Sequence, residues 1–215
     1  MYRRYIKRLL DIIFAFLFLI VLSPLFLVIM IMICLDSKGG PFFKQERIGR
    51  DEKVFLIYKF RTMTVNSEHT GSGVYSDEND PRVTRIGKLL RRHSLDEIPQ
   101  FINVLKGDMS FIGPRPPLTY HPWLLSQYTQ EQRKMFTIRP GLTGWAQVNG
   151  RRSINWNERI RLNNWYIDHL SFKLDCKIIW KTIGAVLKSD HYTNSGPTVP
   201  PPPRTDLSQI EQHSH

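Results

Sequence analysis

The chain is poor in cysteine. It has two in 215 residues, Cys34 and Cys176, far apart in sequence. Two such thiols make neither a disulfide framework nor a zinc-ligand spacing, which suits a reducing compartment such as the cytosol. Several catalytic signatures are missing as well. There is no Gly-rich loop ending in Lys-Ser/Thr and no Gly-x-Ser-x-Gly elbow, which argues against a P-loop nucleotidase and an α/β-hydrolase. There is no Asp-x-Asp triplet, which weighs against a soluble, metal-dependent nucleotide-sugar glycosyltransferase. No zinc-finger or RNA-recognition signature is present, and no internal repeat. Long apolar runs are scarce too: the sequence has one.

That run is Ile12–Leu35, twenty-four residues interrupted only by Ser23 and Pro24. As one helix it is roughly 36 Å long, enough to cross a hydrocarbon core of about 30 Å. It is too long for a signal-peptide core, and no small-residue cleavage site follows it. Pro24 has no N–H to give the carbonyl of Ile20, and each half of the run, at roughly 18 Å, is too short to span alone. A Pro-kinked single span and a re-entrant hairpin both fit. Basic residues stand on either side: Arg3, Arg4, Lys7 and Arg8 before the run, and Lys38, Lys44, Arg47, Arg50 and Lys53 after it. Basic flanks prefer the cytoplasmic side, and only the re-entrant path puts both there.

The net charge of +11 favours anionic partners. After a break at Gly39-Gly40-Pro41, Phe42–Ile48 and Val54–Met63 read as strands around a turn at Gly49–Glu52. Residues 64–82 read as a polar loop and Arg85–Arg92 as a short basic helix. Asp96–Lys106 reads as a helix with Ile98, Phe101, Ile102 and Leu105 on its buried face, stopped by Gly107. Residues 107–123, rich in Gly and Pro, read as irregular. Trp156–Leu170 and Leu174–Lys188 are amphipathic, with Ile178, Ile179, Ile183, Val186 and Leu187 on one side of the latter. Their aromatic residues Trp156, Trp165, Tyr166 and Trp180 suit either the core or a headgroup boundary. Residues 189–215 read as a flexible, Pro-containing tail.

Two features point to chemistry. In Ser94-Leu95-Asp96-Glu97, adjacent carboxylates sit at a predicted helix start, with either Ser94 or Asp96 as the cap. An ionised carboxylate there serves as a nucleophile towards phosphorus, or two hold Mg²⁺ beside a phosphate; it also serves simply as a cap. The second feature is a set of cations in stiff segments: Lys59 and Arg61, Arg91 and Arg92, Arg115 in Gly113-Pro114-Arg115-Pro116, and Arg139 and Arg151 around Pro140–Gly150. Arginine offers paired donors that match phosphate oxygens, although any one of them also fits an ordinary basic surface.

Taken together, Lys7–Asp11, Ser23-Pro24, Tyr58–Met63, Ser94–Gln100, Asn103–Ser110, Gly113–Pro116 and Arg139–Gly144 resemble the small monotopic phosphoglycosyl transferases, bacterial sugar transferases that start lipid-linked glycan synthesis. The resemblance covers roughly residues 1–188. It implies an α+β fold: a re-entrant helix-break-helix over residues 1–37, broken at Ser23 and Pro24, then a mainly helical cytosolic catalytic domain over 38–188. That domain is expected to carry a short β-hairpin and membrane-interface amphipathic helices. The resemblance implies transfer of a sugar 1-phosphate from a UDP-sugar to undecaprenyl phosphate, with release of UMP. It implies Asp96 as the nucleophile of a covalent phosphosugar intermediate, Glu97 as its assistant, and Mg²⁺ held by both. By motif position it implies substrate contacts from Lys59, Arg91, Arg115, Arg139 and Arg151, and counts with them Asp175, a family aspartate whose exact role the resemblance leaves open. The expected partners are membrane lipids and the two substrates, not nucleic acid, at the cytoplasmic face of a bacterial inner membrane. A homo-oligomer is compatible with the sequence, as is a rival reading, a membrane-tethered basic protein that binds nucleic acid or anionic lipid without turnover.

Overall fold

The computed structural model of the chain describes residues 1–67, 80–150 and 154–187. Most of the 64–82 loop, Arg151 and the predicted tail lie outside these residues. The chain begins with a π-helical turn, Tyr2–Ile6, that runs into α1, Lys7–Val21. After Leu22, α2 spans Ser23–Asp36, bent by 62° from the preceding helix. The bend has a local cause. Pro24 cannot donate to the Ile20 carbonyl, and the Ser23 hydroxyl donates to it instead at 2.8 Å. Among the described residues no single helix is long and apolar enough to cross a membrane, whereas the bent pair together reaches that length and composition.

The two arms form a V that straddles the rest of the fold. Ala15 on α1 is fully buried with Ile57, Val104 and Met109. Ile29 and Ile33 on α2 are buried with Phe60, Leu90 and Ile98. The outer faces are bare: Ile13, Phe16, Leu17, Ile20, Val28 and Ile31 all stand exposed.

Charged side chains fasten both feet of the V. The Arg8 guanidinium donates to the carbonyls of Val104 (2.6 Å) and Leu105 (2.9 Å), and the buried Asp11 accepts from Ser110 Oγ (3.1 Å) and the Phe111 amide (3.0 Å). At the other foot, Asp36 accepts from the Ile86 amide at 3.0 Å, and Arg61 donates to the carbonyls of Ser37, Lys38 and Gly39. Both ends of the apolar stretch therefore rest on one body.

That body opens with the expected hairpin. β1, Phe42–Ile48, pairs antiparallel with β2, Val54–Phe60, in the register Phe42↔Phe60 to Ile48↔Val54. The described ends of the next loop are zipped by Thr64 N to Arg82 O and Thr84 N to Thr62 O. α3 covers Arg85–Arg92, with Thr84 as its cap. The helix expected from Asp96 starts later: Leu95–Glu97 is a 3₁₀ turn and α4 spans Gln100–Lys106. Pro99 explains the delay. An α-helical register would have its nitrogen donate to Leu95 O, and that carbonyl instead accepts from Ile98 N at 3.2 Å. Asn103, fully buried on α4, accepts from the Tyr58 amide and donates to Leu56 O, which ties α4 to the edge of β2.

The segment expected to be irregular, residues 107–123, contains one short strand, β3 (Ser110–Ile112), which pairs in parallel with β4 (Gly141–Thr143) farther along the chain. Glycines permit the close approach there: a Cβ on Gly141 would lie 2.0 Å from Gly113 N, and one on Gly144 2.1 Å from Gly113 O. The short helices α5 (Gln130–Arg133) and α6 (Trp145–Gly150) follow β3 and β4 respectively, and α7 (Trp156–Asp168) and α8 (Phe172–Leu187) are the last described elements. Of the aromatic residues, Trp156 and Tyr166 are core, and Trp165 and Trp180 are exposed. On α8 Ile178 is buried, whereas Ile179 and Ile183 face out.

Because Gly141 meets backbone, which cannot rotate away, Gly141→Ala should cost about 1–3 kcal/mol. For a chain of this size that lowers the thermal midpoint in detergent by several degrees. An unchanged midpoint would mean that this crossing is not as close as described.

Candidate active site

The Asp96–Glu97 pair sits in the 3₁₀ turn between α3 and α4. Ser94, just before the turn, holds φ at 55°, a left-handed backbone that costs a non-glycine residue about 1–2 kcal/mol. The Ser94 side chain makes no cap bond, and the N-cap position of α4 is Pro99 rather than Asp96, so neither expected cap is used. The dyad is instead held by the walls around it: β2 brings Lys59, α3 brings Arg91, and the loop after β3 brings Arg115.

Lys59 Nζ lies 2.7 Å from Glu97 Oε1 and 3.8 Å from Asp96 Oδ2. Arg115 Nη1 lies 3.7 Å from Glu97 Oε1. Arg91 Nε donates to Thr62 Oγ1 at 2.9 Å, and its charge reaches Asp96. The two neighbouring carboxylates thus receive different treatment. Burial would raise Glu97, but Lys59 and Arg115 outweigh it and hold the group well below the usual carboxylate range, at about 2. Burial raises Asp96, which Lys59 and Arg91 only partly offset while the charge of Glu97 pushes it further up. Glu97 is a paired anion and a poor base. Asp96 is a desolvated carboxyl with one distant ammonium, the form suited to attack.

Two further arginines that the sequence did not single out for this site, the half-buried Arg47 and the buried Arg159, feel the charge of Arg115. Arg47 donates to Pro116 O (3.1 Å) and Gln45 Oε1 (2.7 Å); burial and the nearby Arg115 bring it down to about 10. Arg159 on α7 comes down to about 10 for the same two reasons. The available signal was weak. Arg47 belongs to a hairpin strand of mixed charge, and Arg159 is three residues from Trp156 and beside Ile160 on the buried face of α7.

Two residues predicted for this site lie elsewhere. Arg139 donates from Nε to Gly107 O at 2.8 Å, at the C-terminal end of α4, and its charged neighbours are Arg50, Arg8, Asp11 and Asp51. The dyad lies at the opposite end of that seven-residue helix, roughly 10 Å away along its axis. Asp175 is buried as an anchor: its carboxylate accepts from Tyr2 Oη (2.6 Å), Lys7 Nζ (2.8 Å) and Tyr166 Oη (2.6 Å). Arg151 lies outside the described residues.

Known proteins are similar to this chain over most of its length. The family model described as Bacterial sugar transferase matches residues 2–189. EpsL of Bacillus subtilis, an uncharacterized sugar transferase, is 43% identical over 185 residues, which cover 86% of this chain and 89% of EpsL. The UDP-glucose:undecaprenyl-phosphate glucose-1-phosphate transferase of Escherichia coli is 40% identical over 185 residues, covering 84% of this chain and 40% of that protein. The undecaprenyl-phosphate galactose phosphotransferase of Salmonella typhimurium is 35% identical over 202 residues, covering 87% of this chain and 41% of that protein. The chain therefore spans nearly all of EpsL but about two-fifths of the longer relatives. With a family match over residues 2–189 and 43% identity to a relative of similar length, the chain belongs to the bacterial sugar transferase family.

Proposed function

We propose that this chain transfers a sugar 1-phosphate from a UDP-sugar to undecaprenyl phosphate and releases UMP, as a first membrane step of a glycan pathway. The observation that carries the reading is the geometry of the dyad: two adjacent carboxylates, with Lys59 2.7 Å from Glu97 and 3.8 Å from Asp96, and Arg115 3.7 Å from Glu97. Relatives named for this class of reaction support the substrates. Their names cover galactose, N-acetylgalactosamine and glucose at 35%, 41% and 40% identity, so similarity at this level leaves the sugar open.

The reaction runs as two displacements. In the first, an Asp96 carboxylate oxygen bonds to the sugar-bearing phosphorus while the bond from that phosphorus to the UMP oxygen breaks. In the second, a phosphate oxygen of undecaprenyl phosphate attacks the same phosphorus, and the Asp96 carboxylate departs unchanged. A carboxylate approaching a diphosphate meets like charge, and Lys59, Arg91 and Arg115 counter it from three sides. Glu97, held ionised, is matched to a charge-balancing role rather than to accepting a proton.

Mg²⁺ fits this donor set. Among the described residues no three His, Cys, Asp or Glu side chains form a metal cage, and Mg²⁺ typically takes one or two carboxylates with substrate phosphates completing its shell. Asp96 and Glu97 would hold it; when bound it neutralises diphosphate charge. The bare outer faces of the V, with both feet on one body, support a re-entrant segment that enters and leaves the cytoplasmic face of a bacterial inner membrane. A nucleophile beside that segment meets a lipid acceptor without drawing it into water.

Asp96→Asn should abolish UMP release from UDP-sugars by membrane preparations, while Asn at this buried site keeps the fold. Full activity in this variant, across a panel of UDP-sugars, would sink the covalent reading. The pH profile gives a second check. Asp96 must be ionised to attack and its pKa is raised, so kcat/KM should fall with acidification on a limb above the ordinary carboxylate range. Lys59 opposes that rise, so Lys59→Met should shift the limb to higher pH and lower kcat by about a hundredfold. A limb that stays in place would show that another group sets it.

A further inference from the structure

Arg139 belongs to a second cationic site. A cavity of about 360 Å³ opens at the foot of α1, and six cations line it: Arg3, Arg4, Lys7, Arg8, Arg50 and Arg139. One acid, Asp11, shares the lining, and it already accepts from Ser110 Oγ and the Phe111 amide. Several of the cations are held in place by the fold. Lys7 is 2.8 Å from Asp175, Arg8 is on the carbonyls of Val104 and Leu105, Arg139 is on Gly107 O, and Arg50 is 2.9 Å from Asp51. Arg4 lies over the Tyr5 ring, 5.5 Å from its centroid. Burial and the nearby Arg50 and Arg8 charges pull Arg139 down, against the smaller opposing effect of Asp11 and Asp51.

We propose that this cavity holds the phosphate headgroup of an anionic phospholipid, with the acyl chains laid along the outer face of α1. The proposal rests on the re-entrant membrane reading above. Three observations carry it. The cavity is of ligand size and strongly positive. The exposed apolar residues Ile12 and Ile13 follow Asp11 directly in the chain, so a ligand with a charged head and an apolar tail matches where a free anion matches only half the surface. The cavity also faces the C-terminal end of α4, roughly a helix length from Asp96, so a phosphate held here is not the one that attacks the phosphosugar. The lipid would brace the foot of α1 against β3 and α4.

The test uses full-length protein in nanodiscs of mixed phosphatidylethanolamine and phosphatidylglycerol, released for native mass spectrometry. Wild type should retain phosphatidylglycerol over phosphatidylethanolamine. Arg3→Gln with Arg4→Gln should lower that preference by roughly fivefold per arginine removed, and Arg139→Gln should lower it further. Because Arg139 also supports Gly107, the Arg3/Arg4 pair carries the test if the Arg139 variant misfolds. Removal of the exposed Arg161 should leave the preference unchanged. Insertion without lipid preference, or equal loss from the Arg161 control, overturns the headgroup site and leaves the membrane reading standing. Displacement of the retained lipid by inorganic phosphate assigns the cavity to a free anion and also overturns it. Failure to enter nanodiscs overturns the membrane reading and this site with it.

Discussion

The structure depends on how the two feet of the apolar V are fastened. The inner faces of α1 and α2 pack on the body through Ala15, Ile29 and Ile33, and the outer faces contribute nothing to that register. The buried polar contacts pin it. Asp11 on the β3 edge, Arg8 on the α4 carbonyls, Asp36 on the α3 amide and Arg61 on the carbonyls that follow α2 each suit one register. Such groups are costly to bury unpaired, so a slip of either arm strands several at once. The same elements carry the chemistry: α3 brings Arg91, β2 brings Lys59, and α4 follows the dyad. Fixing the feet therefore fixes the height of Asp96 relative to the apolar segment.

Within that frame the chain separates positive charge into two centres. Lys59, Arg91 and Arg115, backed by Arg47 and Arg159, surround the dyad at one end of α4. Arg8, Arg50 and Arg139 gather with the N-terminal basic residues at the other. The first centre is balanced in part by Glu97, which absorbs the close ammonium and leaves Asp96 with a weaker partner. The second centre has Asp11, committed to β3, with Asp175 on Lys7 and Asp51 on Arg50.

Much of this was legible in the sequence. The strand β1, the turn after it and α3 matched their predicted limits, because short-range pattern and turn chemistry decide them. The break at Ser23-Pro24 was legible for the same reason. Other parts depend on long-range contacts. β3 and β4 are three residues each and exist because Gly113, Gly141 and Gly144 let distant backbones meet. Pro99 moved the helix start beyond the dyad, a shift that the competing cap readings did not include. Asp175 looked like a candidate for substrate contact, yet its partners Tyr2, Lys7 and Tyr166 make it a buried anchor. Arg139 followed a motif pointing to the dyad, but chain position does not say which end of α4 it faces.

The account turns on the path of the apolar segment, and site-specific labelling tests it most directly. With Cys34 and Cys176 replaced by Ser, single cysteines would be placed among residues 2–6 and 38–40, and membrane-impermeant maleimide applied to sealed vesicles of either orientation. A re-entrant V predicts that both positions label only from the cytoplasmic face. Labelling of residues 2–6 from the opposite face alone would show a simple span and would contradict the clamped V.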